Sequence, residues 1–269
     1  MRQAGRPSLP VVLAAFGSTR ARKAYSFLAA EVAELPGVAA VRTAFSSRMV
    51  RSFTRAKGVN EVPPSPARAV EEFAAEGYRW VAVQSVHILA GHEFYRLVEE
   101  METVPARTVL GLPLLWSRED YGRLASLLVE RHRPGPSTAV VFVGHGTDHA
   151  AWSTYPALEH TLRAQGMANA WVGVVDGDPG PEEVADQVAR AGHRRAVVVP
   201  LMLVAGLHFM EDIVGDDPGS YCSAFRERGI EVTAVREGLL ELEGVRRIFA
   251  DHISQALDCA PISGSGAGI

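Results

Sequence analysis

Val11-Val12-Leu13-Ala14-Ala15-Phe16-Gly17-Ser18-Thr19 and Val140-Val141-Phe142-Val143-Gly144-His145-Gly146-Thr147 are two versions of one segment, an apolar run that stops at a glycine turn. Continuous apolar runs of this length are what strands buried on both faces of a parallel sheet require. A second pair lies further along each half. Trp80-Val81-Ala82-Val83-Gln84-Ser85-Val86-His87-Ile88-Leu89-Ala90-Gly91-His92-Glu93-Phe94 is echoed by Ala196-Val197-Val198-Val199-Pro200-Leu201-Met202-Leu203-Val204-Ala205-Gly206-Leu207-His208-Phe209. Aligned on these runs, Phe16 matches His145 and Glu93 matches His208. The pattern predicts two related α/β lobes, each a mostly parallel sheet flanked by helices, with the active-site cleft between them.

Outward from these segments, strands and helices alternate through both halves, the signature of parallel sheets covered by helices. The first half predicts strands at 11–15, 39–44, 80–86 and 107–110, and helices at 20–35, 46–57, 67–76, 93–102 and 119–132. The second predicts strands at 139–143, 170–175, 196–203 and 231–234, and helices at 154–165, 181–191, 219–229 and 243–257. Arg133-Pro134-Gly135-Pro136-Ser137 reads as the lobe boundary. The expected organisation is an N-terminal tail over 1–8, a first lobe over 9–133, a second over 137–259 and a disordered tail over 260–269. The first half is the longer between its aligned positions, which fits an insertion around Ser46 to Pro66. Ligands of open α/β sheets bind beyond the carboxyl ends of the strands, and all four glycine-containing segments fall there.

Bulk composition narrows the classes. The chain has 269 residues, 47% apolar and 22% charged, with a formal net charge of −4. Those are the proportions of a soluble globular protein, and the acidic balance argues against a general nucleic-acid binder. Cys222 and Cys259 are far apart, so a disulfide framework and an iron–sulfur cluster are not expected. Any metal must be held by His and carboxylates. Met1 to Pro10 has no apolar stretch of the signal-peptide kind. The longest apolar run, Ala196 to Leu207, is interrupted by Pro200 and Gly206 and is too short to span a bilayer. A cytoplasmic protein is expected, without a membrane partner.

The candidate residues each have a plain structural alternative. His145, between two glycines, is either a ligand or base, or a turn histidine capping the next helix. His208 with His145 at two strand ends of one lobe forms a functional signal that neither carries alone. Glu93 is either a metal ligand or proton shuttle, or a helix N-terminal acid favoured by the macrodipole. Asp176, in Val175-Asp176-Gly177-Asp178-Pro179, is either a ligand or an ordinary Asp-Gly turn. His87 reads as buried and hydrogen-bonded or as substrate-binding, and His92 as a substrate-binding residue, a group that supports Glu93 from behind, or a solvent-facing loop residue. Ser18, Arg20, Ser46, Ser47 and Arg48 suit a carboxylate-rich or phosphate ligand, with helix N-capping as the alternative for the hydroxyls. His149 reads as a helix-start residue, and His132, His160, His193 and His252 as surface residues. The glycine turns match neither a phosphate loop nor a dinucleotide fingerprint, so no nucleotide is expected.

Taken together, Phe16-Gly17-Ser18, Ala44-Phe45-Ser46-Ser47, Val83-Gln84-Ser85-Val86-His87-Ile88, Gly111-Leu112-Pro113-Leu114-Leu115, Gly144-His145-Gly146 and Pro200-Leu201-Met202-Leu203-Val204-Ala205-Gly206-Leu207-His208 resemble the anaerobic sirohydrochlorin cobaltochelatases of cobalamin synthesis. The resemblance runs from about Leu9 to Leu257. It implies a class II, ATP-independent chelatase that inserts Co(II) into sirohydrochlorin or precorrin-2 and releases two protons. It matches the family's metal-site histidines to His145 and His208, and its active-site glutamate to Glu93. Asp176 stands where the family often has Glu, and would complete the metal site. His92 fills the middle of a Gly-x-Glu turn. Some relatives hold a haem between subunits through a first-lobe histidine near the position of His87; the sequence alone does not support that role here. A homo-oligomer is expected. Alternatives left open are a ferrochelatase or nickel chelatase on the same fold, and a two-lobed carrier that binds a metal or tetrapyrrole without converting it.

Overall fold

The computed structural model describes residues 8–18, 22–56, 62–206, 213–215, 217 and 219–261. The elements run β1 (Leu9–Ala15), α1 (Arg22–Ala33), β2 (Val38–Phe45), α2 (Arg48–Ala56), α3 (Pro66–Ala75), β3 (Trp80–Val86), α4 (His92–Glu102), β4 (Arg107–Gly111) and α5 (Arg118–Arg131). They continue β5 (Thr138–Gly146), α6 (Thr154–Ala164), β6 (Ala170–Asp176), α7 (Pro181–Arg190), β7 (Arg195–Pro200), α8 (Tyr221–Glu227), β8 (Glu231–Ala234) and α9 (Glu243–Cys259), with single 3₁₀ turns at Ala150–Ser153 and Leu239–Glu241. The elements follow the predicted alternation closely. One strand is shorter than expected: β7 ends at Pro200. Beyond it, the Met202 and Leu203 carbonyls accept from the amides of Leu239 and Leu240 rather than extending the ladder.

Two four-stranded parallel sheets form, in the orders β2-β1-β3-β4 and β6-β5-β7-β8. The same topology in both sheets carries the internal repeat into three dimensions. In each, the chain crosses over at the central pair, β1 with β3 and β5 with β7, so the strand order reverses there and leaves a crevice at the carboxyl ends. The register places Ala15 opposite Val86 and Val143 opposite Pro200. The glycine turns read from the sequence are therefore the exits of the central strands. Every residue of β1 is buried, as its unbroken apolar run requires.

Contacts divide the chain into two units. The first holds the described residues up to His87, then Glu93–Leu114 and the chain from Arg246 onward. The second holds Ile88–His92 and Leu115–Val245. These differ from the expected lobes at 9–133 and 137–259. The helix α5 precedes the Pro-Gly boundary yet belongs to the second unit: Tyr121 Oη donates to Thr154 Oγ1 at 3.1 Å, and Gln165 Nε2 donates to the Gly122 carbonyl at 2.9 Å. Most of α9 returns to the first unit, where Arg246 Nε meets Glu31 at 2.6 Å and His252 Nδ1 lies 3.1 Å from the Leu112 carbonyl oxygen. His252, expected at the surface, is buried.

The first core gathers Val12, Ala14, Val70, Phe73, Val83 and Leu97 between the sheet and its helices. The second gathers Val141, Val143, Val184, Val198, Tyr221 and Phe225. Among the described residues, no helix is long and apolar enough to cross a membrane.

Candidate active site

The Gly144-His145-Gly146 exit of β5 is shaped by packing on both sides. A Cβ at Gly144 would stand 2.3 Å from Cε1 of Tyr155. At Gly146, φ is +95° and a Cβ would stand 1.8 Å from the Asp176 carbonyl oxygen. Only glycine fits either place. The Gly146 amide donates to Tyr155 Oη at 3.1 Å, and burial raises the Tyr155 phenol above its ordinary pKa. His145 is thereby held between two immobilised residues with its side chain 59% exposed.

Gly146 pairs in register with Asp176, the last residue of β6. That pairing sets the two side chains next to each other, His145 Nδ1 lying 3.4 Å from Asp176 Oδ2. Two ligands about 2.0–2.1 Å from one tetrahedral borderline ion stand about 3.4 Å apart, so the pair is spaced to share a divalent metal. Asp176 is held in turn through its strand, where Tyr221 Oη donates to the Val174 carbonyl at 2.8 Å. Among the described residues, no group of three His, Cys, Asp or Glu side chains is gathered to hold a metal. His208, expected as a further ligand, lies outside the described residues, as does Arg20.

In the first unit, Glu93 sits in the first turn of α4. Its Oε2 accepts from Ser46 Oγ at 3.2 Å and its Oε1 from Arg96 at 2.6 Å. Ser46 follows the edge strand β2 of its sheet, as Asp176 ends the edge strand β6 of the other. Ser47 behaves as the capping alternative predicts: its Oγ accepts from the Val50 amide at 3.2 Å. Arg48 begins α2 and is exposed, and Ser18 lies in the turn after β1.

His87 is held inward. Its Nδ1 is 2.9 Å from Ser85 Oγ, and its Nε2 is buried with no hydrogen-bond partner. Burial lowers its pKa to about 4, so it brings no positive charge to a substrate carboxylate at neutral pH. His92 does reach the site's surroundings: its Nε2 is 2.8 Å from Asp148 Oδ1, three residues beyond His145, and that bond is the main cause of the lowered Asp148 pKa. His149 packs edge-on to His92 at 5.1 Å, and its Nδ1 accepts from the Ala151 amide at 3.0 Å, the helix-start role expected of it. Sequence reasoning missed Tyr155, Tyr221 and Asp148. The signal for Tyr155 was present in Gly144, a strand glycine that marks a close approach.

Comparison with known proteins places the chain in a family. The sequence model described as "Cobalt chelatase (CbiK)" matches residues 10–258. The chain belongs to the CbiK cobalt chelatase family. A sirohydrochlorin cobaltochelatase of Salmonella typhimurium is 36% identical over 222 residues, covering 81% of this chain and 83% of that protein. Sirohydrochlorin cobaltochelatase CbiKC of Nitratidesulfovibrio vulgaris is 34% identical over 258 residues, covering 92% and 90%. Among solved structures, SirB from Bacillus subtilis with Fe3+ superposes with a TM-score of 0.65 at 14% identity, covering 93% of this chain and 96% of that one. That likeness shows the two-sheet chelatase fold alone. Within the CbiK family, the sequence-level resemblance stated above is thus borne out.

Proposed function

We propose that this chain is a sirohydrochlorin cobaltochelatase, which takes Co(II) and the metal-free tetrapyrrole as substrates and releases two protons. The reading is carried by the His145–Asp176 pair at adjacent strand ends in a chain whose relatives, matched over most of their length, bear that name.

Insertion must break two pyrrole N–H bonds and exchange the metal's water ligands for four ring nitrogens. A neutral imidazole suits both needs, as a borderline ligand for Co(II) and as a base near neutral pH. His145 with Asp176 holds the incoming metal and, as the ion leaves them for the ring, His145 accepts a pyrrole proton. The Asp176 carboxylate beside Nδ1 stabilises the imidazolium that forms. His208 supplies a further ligand. Glu93, oriented by Ser46 and Arg96, accepts the second proton. Ser18, Arg20, Ser46 and Arg48 engage the acetate and propionate carboxylates, and His92 orients the Gly91-His92-Glu93 turn. The products balance as Co(II)-sirohydrochlorin and two protons, with no redox step and no nucleotide. A cytoplasmic location and a homo-oligomeric state belong to the same proposal.

The test is anaerobic absorbance with sirohydrochlorin and Co(II), Fe(II) or Ni(II), each against its non-enzymatic rate. We expect acceleration, greatest for Co(II). His145→Ala loses at least about a hundredfold in insertion rate at saturating substrate, the usual scale of a lost general base. A variant with near-normal insertion would overturn the assignment, and binding without acceleration would make the chain a carrier.

A further inference from the structure

The helix α2 is unusual for its surroundings. It follows the carboxyl end of β2 with only Ser46 and Ser47 between, and its nine residues include three arginines and no acid. Met49 and Phe53 stand one turn apart on it, 69% and 55% exposed. Residues so spaced share one face of a helix. Arg48 and Arg55 are also exposed. Phe16, at the exit of β1, is 48% exposed, and its carbonyl accepts from the Ser47 amide at 3.2 Å just ahead of the helix.

The start of the helix is tied to the strand exit that precedes it. Arg51, from its inner side, donates to the Phe45 carbonyl and at 2.9 Å to the Ser46 carbonyl, while Ser47 caps the first turn. A helix that shows water two large apolar side chains flanked by arginines is suited to something that is both apolar and anionic. It stands beside Ser46, which is hydrogen-bonded to Glu93.

We propose that α2 and Phe16 form the recognition platform for the tetrapyrrole substrate: Met49, Phe53 and Phe16 meet the macrocycle's apolar face and edge, and Arg48 and Arg55 pair with its peripheral carboxylates. The proposal rests on the chelatase reading and adds a basis for selecting a polycarboxylate ring over a less charged one. Arginine suits carboxylates through two parallel hydrogen bonds, and a flat conjugated ring covers exposed Met and Phe in a way water does not. An anionic membrane is the rival occupant of a basic, apolar helix face. Nine residues with two apolar anchors fall short of the long apolar face that interfacial helices use, which favours the substrate.

The experiment titrates metal-free sirohydrochlorin into the full-length protein under anaerobic conditions, following quenching of its fluorescence. Thermal melts check that each variant is folded, and phosphatidylglycerol vesicles provide a parallel co-sedimentation arm. Met49→Ser/Phe53→Ser weakens sirohydrochlorin binding roughly tenfold or more, with a salt dependence like that of the parent. Arg48→Gln/Arg55→Gln weakens it by a similar factor and flattens the salt dependence, while Arg48→Lys/Arg55→Lys recovers part of the loss. The arginine pair costs less for a dicarboxylate porphyrin than for sirohydrochlorin. Unchanged affinity in both double variants overturns the platform, as does unchanged affinity with loss of vesicle binding. Those outcomes, with the parent still inserting cobalt, leave the chelatase reading intact. Failure of the parent to insert cobalt defeats that reading first.

Discussion

His87 shows what a single residue's surroundings decide. Ser85 Oγ lies 2.9 Å from its Nδ1 and Nε2 is shut away from solvent. Desolvation then lowers its pKa from the ordinary 6.5 of a histidine to about 4. In this range the unfolded chain binds the proton that the folded one refuses. Stability is therefore complete above pH 6.5 and falls as pH drops toward 4, by at most about 1.4 kcal/mol per pH unit. Urea unfolding followed across that window should show the slope, and His87→Asn should flatten it. An unaltered slope in the variant would assign it to other groups. The sequence allowed His87 to be buried or substrate-binding. Its burial depends on how the exit of β3 is covered, because His87 and Leu114 are joined through backbone hydrogen bonding at 2.9 Å from a segment distant in the chain. The His145–Asp176 pair lies at the other extreme of legibility. Both residues were readable as candidates from glycine turns at strand ends, and the register of β5 with β6 made them neighbours.

At the scale of elements, strand exits act as mounts for side chains. The β5 exit is held by Tyr155 of α6, whose ring occupies the space a Cβ at Gly144 would take, 2.3 Å from Cε1. Gly144→Ala should therefore shift the ring or the strand and destabilise the protein by about 1–3 kcal/mol, the usual range for overpacking a filled core. A thermal melt measures the loss. Cobalt insertion should fall further than the stability change explains, since the displaced residue is next to His145. A melt indistinguishable from the parent's would mean that the exit is softer than its packing indicates. Elements were the most legible level of this chain. Continuous apolar runs identified β1, β5 and β7, the echo between the halves identified β3, and their ends were read to within a few residues. The overrun was β7, where apolar Leu201 to Leu203 continue the run after the ladder has stopped. Hydrophobicity reports burial, and a buried turn is as apolar as a buried strand.

For the whole molecule, the division of labour between the two ends of the chain matters most. Cutting at Arg133–Ser137, where Pro and Gly cluster, would leave the first unit without α9 and the second without α5. The two fragments should be unstable alone, because the apolar residues of α5 and α9, among them Leu124, Leu128, Ile248 and Phe249, are buried in the intact chain. Circular dichroism and thermal melts of residues 1–133 and 137–269 test this, and two separate cooperative transitions would refute it. The amino-acid sequence by itself determined the alternation of strands and helices, the internal repeat, the parallel sheets and the residues at the strand exits. Those follow from local periodicity and glycine placement, which every short window of chain displays. Only the tertiary structure decided that α5 and α9 exchange allegiance, that His252 is buried, that Tyr155 mounts His145 and that α2 shows Met49 and Phe53 to solvent. An amphipathic helix carries an apolar stripe but not the address of the sheet that covers it. That address is set by the path of the chain and by which faces remain open when the sheets have formed.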